Sequence, residues 1–184
     1  MPTYNNQNTR EFNISKSTLQ TITKPRVEAR AGQPYVYIPI ELYLHEMDKA
    51  NELVVEIFGW LGRKGVHPNG APFYRYWTIG DTKEKFKLEV GVPIAGTTFG
   101  DDRVISGTIP TGKYATLVHN GHPDLLSDSF AILEEWARDR DIKWDIELKM
   151  EKEVWGGRFE YYLTDPVAEP NLNKWTTEIA YLIK

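Results

Sequence analysis

The sequence predicts an α+β fold: a tandem duplication of a strand–helix–strand–strand unit, with two helices packed on antiparallel sheet around a central ligand cleft. Three observations lead there. Residues Tyr35 to Leu44 alternate strictly, with Val36, Ile38, Ile40, Leu42 and Leu44 on one side, as a strand with one buried face must. Apolar residues recur at helical spacing in two places, one in each half of the chain. And one hairpin pattern occurs twice. Phe73-Tyr74-Arg75-Tyr76-Trp77-Thr78 matches Phe159-Glu160-Tyr161-Tyr162-Leu163-Thr164, and the stretch from Phe86 to Ile94 aligns with Trp175 to Ile183 so that Glu89 falls on Glu178.

In chain order, residues 1–17 read as a loose polar arm, and residues 18–184 as a single domain of two repeats, 18–96 and 103–184. Leu19 to Val27 predicts a short first strand broken near Pro25. The alternating strand follows; its second face carries Tyr35, Tyr37 and Tyr43, with Pro39 at an edge or bulge. Ala50, Leu53, Val54, Ile57 and Leu61 predict a helix over Met47 to Lys64, capped by Gly65. After a loop rich in glycine and proline comes the first hairpin, turning at Gly80-Asp81. Residues 95–102 link the halves. Arg103 to Ile109 opens the second half, and the Pro110-Thr111-Gly112 turn leads into a strand from Lys113 to His119, whose Tyr114-Ala115-Thr116-Leu117 aligns with Tyr35-Val36-Tyr37-Ile38. Pro123 starts a helix with a buried stripe of Leu126, Phe130, Leu133 and Ala137, and Trp136 matches Trp60 of the first helix. Residues 141–155 have no counterpart in the first half; Trp144, Ile146 and Leu148 alternate as an added edge strand. Asp165-Pro166 stops the next strand, because proline cannot donate to a ladder, and the last strand starts at Trp175.

Composition narrows the function. The net charge is −4 without any block of lysine or arginine, which argues against direct nucleic-acid binding. With no cysteine there are no disulfides, no thiolate nucleophile and no cysteine-based zinc site. The histidines lack metal-ligand spacing, and His119 and His122 do not make the i, i+4 pair that places two imidazoles on one helix face. His119 at a strand end reads as a satisfied structural histidine. No glycine-rich phosphate loop occurs, so neither cofactor nor metal is expected. The start lacks the apolar core of a signal peptide, and no apolar run approaches the roughly 20 residues of a membrane span. A cytoplasmic protein without a membrane partner is expected.

Strand parity then groups the candidates. If the aliphatic faces cover the helices, Tyr35, Tyr37, Tyr74, Tyr76, Glu89, Tyr114, Glu160, Tyr162 and Glu178 are left together on the other faces. Aromatic walls with a few polar groups suit a small-molecule pocket, and tyrosine faces with carboxylates at the base suit an aromatic cation. For any one of these side chains, covering a half-exposed sheet is the alternative. An enzyme is the second reading: Glu160 and Glu178 would activate water and protonate a leaving group, helped by Tyr76 or Tyr162. Two carboxylates in such a cleft would raise the pKa of one. The third reading is a module that binds a protein partner.

Taken in order, Gly91-Val92-Pro93-Ile94, Ile109-Pro110-Thr111-Gly112-Lys113-Tyr114-Ala115, His119-Asn120-Gly121, Trp136, Phe159 through Pro166 and Thr177-Glu178-Ile179 resemble the GyrI-like family over residues 18 to 184. That family includes the effector-binding domains of AraC- and MerR-type multidrug regulators. The resemblance implies the same duplicated fold and a central channel for lipophilic, often cationic aromatic compounds, with a glutamate at the position of Glu160. It also implies two alternatives: free-standing hydrolases that open the cyclopropane ring of DNA-alkylating natural products, and members that bind DNA gyrase. The chain departs from the regulators in its short arm, which is expected to hold no helix-turn-helix, and in having Tyr181-Leu182 where a proline is commoner.

Overall fold

The computed structural model describes residues 20–184, so the polar arm expected over residues 1–17 lies outside the described residues. The first half contributes β1 (Thr21–Ile22), β2 (Arg26–Arg30), β3 (Gln33–Leu42), α1 (Asp48–Lys64), β4 (Phe73–Thr78) and β5 (Phe86–Pro93). The second contributes β6 (Ile105–Ile109), β7 (Gly112–Asn120), α2 (Leu126–Arg138), β8 (Ile146–Lys149), β9 (Lys152–Trp155), β10 (Arg158–Tyr162) and β11 (Thr176–Ile183). The expected first strand is two short strands, separated around Pro25, whose missing N–H cannot enter a ladder.

One antiparallel sheet runs β1-β7-β11-β10-β4-β5-β3-β6, with β2 also on β7. The halves meet at the centre, where β4 and β10 pair with Glu160 opposite Tyr74 and Phe159 opposite Arg75. Each half also lends a strand to the other: β2 pairs with β7, and β6 with β3. The ladders correspond position by position. Glu89 stands opposite Arg75 on β4 and Pro39 on β3; Glu178 stands opposite Tyr161 on β10 and Val118 on β7.

Both helices lie on one side. Ala50, Leu53, Ile57 and Leu61 of α1 bury Val36, Ile38, Leu88, Val90 and Val92, a cluster that also takes in Tyr74 and Tyr76. Leu126 and Leu133 of α2 bury Ala115, Leu117, Ile179 and Tyr181. Each fully buried aliphatic side chain contributes about 1.5–3 kcal/mol, which is what seats two amphipathic helices on the sheet. Ser129, not Phe130, completes the innermost stripe of α2; Phe130 is only partly buried. The opposite sheet face is aromatic: Tyr35, Phe73, Tyr114, Phe159 and Tyr161 pack edge to face or tilted, except that Phe159 and Tyr161 stack. A Cβ on Gly107 would lie 2.7 Å from the Tyr35 ring, so the ring can lie against the backbone only over glycine.

One expectation is corrected. Residues 146–155 do not add an edge strand; β8 and β9 form their own two-stranded hairpin, tied to the main sheet by the Trp144–Ile183 bridge. The matched tryptophans also differ in surroundings: Trp60 Nε1 donates to Asp101 Oδ2 at 2.6 Å and anchors the linker, whereas Trp136 lies under the Arg140 guanidinium. Among the described residues no helix is long and apolar enough to cross a membrane.

Candidate functional site

α1 packs over β3 and β5 and α2 over β7, so the central strands β4 and β10 lie in the seam between them. Alternation on β10 aims Glu160 and Tyr162 into this seam, and Glu160's partner across the ladder, Tyr74, shares the face with Tyr76. Glu160 is buried, and both phenols donate to the same oxygen: Tyr76 Oη at 3.0 Å and Tyr162 Oη at 2.9 Å to Oε2. Among the described residues nothing donates to Oε1. Tyr74 donates to Asn51 Oδ1 of α1 at 2.6 Å and meets the Tyr162 ring edge-on at 4.8 Å.

Burial raises the Glu160 carboxyl above its ordinary value of 4.5, against the opposing pull of the Tyr162 hydrogen bond, the Arg158 charge and the Tyr76 hydrogen bond. Burial, reinforced by the Glu160 charge, holds Tyr76 and Tyr162 well above 10. The phenols therefore stay protonated donors. The same burial raises Tyr74.

Arg158 lies two residues from Glu160 and faces the same side. Its guanidinium stacks on Tyr181 at 4.4 Å and Trp155 at 4.6 Å, approaches the Phe130 ring of α2 at 5.7 Å, and stands 3.9 Å from Glu134. A resident cation thus occupies an aromatic cage beside the seam.

The opposite face holds the other candidates. Trp77 Nε1 donates to Glu89 Oε1 at 2.8 Å, Tyr35 Oη donates to Glu89 Oε2, and Arg75 Nη1 donates to Tyr35 Oη at 2.9 Å. The Tyr37 ring lies tilted against Tyr35, their centroids 5.3 Å apart. Arg30 Nη2 donates to Glu178 Oε1 at 2.8 Å and its guanidinium covers the Tyr114 and Tyr161 rings. Tyr114 donates to the Pro110 carbonyl, and burial pushes it up to about 12.

The structure therefore divides the set that parity had grouped. Glu160, Tyr74, Tyr76 and Tyr162 come together under the helices; Glu89, Glu178, Tyr37 and Tyr114 lie on the far face. The registers give the reason: Glu160 pairs with Ile179, so the adjacent Glu178 must point the other way, and Glu89 stands opposite Arg75 between the inward-facing Tyr74 and Tyr76. Glu160 and Glu178 cannot act on one substrate atom. Arg158, Arg75 and Asn51 were not among the sequence candidates. Parity alone places Arg158 with Glu160, and Arg75 with its ladder partner Glu89.

His119 is fully buried, its Nε2 donating to the His122 carbonyl at 3.2 Å and its Nδ1 accepting from Ser129 Oγ at 2.8 Å, and burial lowers its pKa. Both nitrogens are engaged within the fold. Among the described residues no three His, Asp or Glu side chains gather to hold a metal ion.

Two helices on an antiparallel sheet, with a buried carboxylate among tyrosines in the seam between them, define the architecture of a small-molecule-binding domain. Residues 23–184 match the GyrI-like small molecule binding domain, and the chain belongs to that family. Solved structures share the fold. The C-terminal domain of EcmrR superposes with a TM-score of 0.66 at 18% identity, covering 88% of this chain and 97% of that one. EcmrR in a DNA complex gives 0.71 at 15% identity, covering 90% of this chain and 58% of that one, so the chain spans little more than half of the larger protein. SAV2435, solved bound to tetraphenylphosphonium, gives 0.55 at 12% identity with 88% and 94% covered, and a hydrolase from Listeria innocua gives 0.57 at 12% identity with 88% and 92% covered. At such identities the likeness is one of fold. No curated protein matches significantly.

Proposed function

We propose that this chain binds lipophilic aromatic cations in the seam between α1 and α2, with Glu160 as counter-charge. One observation carries the reading: a buried carboxylate whose Oε2 takes both phenol hydrogen bonds while Oε1 receives none from the described residues. A desolvated carboxylate so placed gains most from a ligand cation, and the Tyr74, Tyr76 and Tyr162 faces add about 0.5–2 kcal/mol each. The complex of SAV2435 with tetraphenylphosphonium, a cation of this class on the same fold, supports the choice of probe. Because the tyrosines pack on one another, the ligand enters by parting them.

Tetraphenylphosphonium and neutral tetraphenylmethane-type isosteres, titrated calorimetrically, test this. Glu160→Gln keeps the shape and removes the charge; it is expected to lose ten- to a hundredfold in cation affinity, about 1.4–2.8 kcal/mol, with little change for neutral ligands. Glu178→Gln is expected to leave cation affinity unchanged. Equal affinity of parent and Glu160→Gln for the cation overturns the assignment. Glu160 and Glu178 cannot serve as a hydrolytic carboxylate pair, because the two side chains emerge on opposite faces of the sheet.

A further inference from the structure

The sheet face away from the helices carries a second concavity. A cleft of about 820 Å³ lies between that face of β3, β4 and β5 and the β8–β9 hairpin, within the range of small-molecule sites. Its floor presents Tyr37, Trp77 and Glu89; the hairpin supplies Lys149, Lys152 and Val154, and Lys87 stands at the mouth. The pairing of Glu147 with Val154 and Lys149 with Lys152 puts both hairpin lysines and Val154 on the hairpin side turned to the cleft.

The floor is fixed. Trp77 sits where the β4–β5 register shifts between Tyr76 and Thr78, an irregularity of the kind that re-aims a side chain. Its indole is held by the bond to Glu89, and the Arg75 guanidinium, which is not a wall of the cleft, covers the ring at 4.0 Å. Glu89 is satisfied from within: Trp77 and Tyr35 each donate to one oxygen, and Arg75 stands 3.9 Å away. Of the remaining charged walls, Lys87, Lys149 and Lys152 outnumber Glu41. This is a cationic rim in a chain whose net charge is −4. The lysines lean on Glu41, Glu147 and Glu84, but every one of these side chains is more than half exposed, so the pairs are weak and readily re-partnered. Met150 at the tip, 99% exposed, adds an apolar group at the opening.

We propose that this cleft is a second ligand site, taking an aromatic monoanion: a flat ring system against Trp77 and Tyr37 beneath the hairpin, with a carboxylate or sulfonate at the Lys87, Lys149 and Lys152 ammonium groups. Its charge preference is the reverse of that at Glu160. It lies on the other face of the sheet, so the two sites fill independently.

Naphthalene-2-sulfonate is the probe, with naphthalene-2-sulfonamide as its neutral counterpart, followed by calorimetry and tryptophan fluorescence. Saturable binding of the sulfonate, tighter than the sulfonamide and weakened by added salt, is expected. Replacing both exposed lysines, Lys149→Ala with Lys152→Ala, is expected to weaken it about three- to tenfold without changing the thermal midpoint, and Lys87→Ala to weaken it less. Glu160→Gln and saturating tetraphenylphosphonium should leave sulfonate binding untouched. Absence of saturable binding, equal affinity for the sulfonamide, or no effect of the double lysine replacement overturns the proposal. So does competition by the phosphonium, which would put both ligands in one seam.

Discussion

Glu160 and Arg158 form a charge pair within one strand, and they pull a bound cation in opposite senses. Side chains two apart on a strand stand about 7 Å from one another, where unit charges at an effective dielectric near 20 interact by about 2 kcal/mol. Arg158→Met, which removes the charge but keeps a long apolar stem in the Tyr181–Trp155 cage, is therefore expected to tighten tetraphenylphosphonium binding about fivefold or more. Arg158→Lys should leave it near the parent value. Binding is compared well above the pH at which Glu160 titrates, because its carboxyl rises further once the Arg158 charge is gone; a Met variant that binds no better there would mean that the Glu134 carboxylate already cancels the guanidinium. The pH dependence follows from Glu160. Its carboxyl is raised above 4.5, so the folded state holds a proton that the unfolded chain has lost. Over the window from 4.5 to the raised value, this group makes stability fall as pH rises. Cation affinity runs the other way, because only the ionised carboxylate attracts the ligand. Paired melting and titration curves of parent and Glu160→Gln check both signs; identical slopes in the two proteins would remove Glu160 as their source.

At the scale of elements, the strands and helices were legible because each has one aliphatic face: Val36, Ile38 and Ile40 on β3, or Ala50, Leu53, Ile57 and Leu61 on α1. What could not be read was which face of β4 and β10 meets the helices. Phe73, Tyr74, Tyr76, Phe159, Tyr161 and Tyr162 make both faces aromatic, and both are buried, so hydrophobic alternation carries no sign there. Only the ladder between Glu160 and Ile179, a long-range pairing, resolves it. The β8–β9 hairpin escaped for a related reason: its turn lacks the usual Asn-Gly signal, and Met150 and Glu151 both take positive φ, 49° and 64°. Two substitutions weigh such backbone effects with opposite signs. Gly65 ends α1 at φ 66° with open space around it, so Gly65→Ala meets only the left-handed penalty, about 1 kcal/mol, and should lower the melting midpoint by about 2–4 °C. Glu151→Gly relieves the same penalty at the hairpin tip and should raise the midpoint by a similar or smaller amount. Thermal melts by circular dichroism decide both; a stabilising Gly65→Ala would mean that the helix end can relax out of its left-handed cap.

The whole molecule is held by an exchange between its halves, and their corresponding ladders support the proposal that both descend from one unit. β2 belongs to the first half by sequence but, among the described residues, its ladder pairs it only with β7, and β6 belongs to the second but its ladder pairs it only with β3. Between them, β4 and β10 share just the three pairs from Phe159 to Tyr161. The aromatic layer on the far face also draws Tyr35 and Phe73 from one half and Tyr114, Phe159 and Tyr161 from the other. A separated first half would keep β3, β5 and β4 but lose the partners of β3 and β4 on both edges, exposing unpaired N–H and C=O groups and half of that layer. Dividing the chain at Gly96 should accordingly yield two pieces, 1–96 and 97–184, neither of which melts cooperatively alone. Mixed, they should assemble one to one, with Trp60 reaching Asp101 across the break. The intact chain is expected to unfold in a single transition, coincident by tryptophan fluorescence and far-ultraviolet circular dichroism. A separate piece that melts cooperatively near the midpoint of the intact chain would show that the exchanged strands are ornaments on autonomous halves. The seam holding Glu160 would then be an interface between two domains, opened by their relative motion, and no longer a feature of one core.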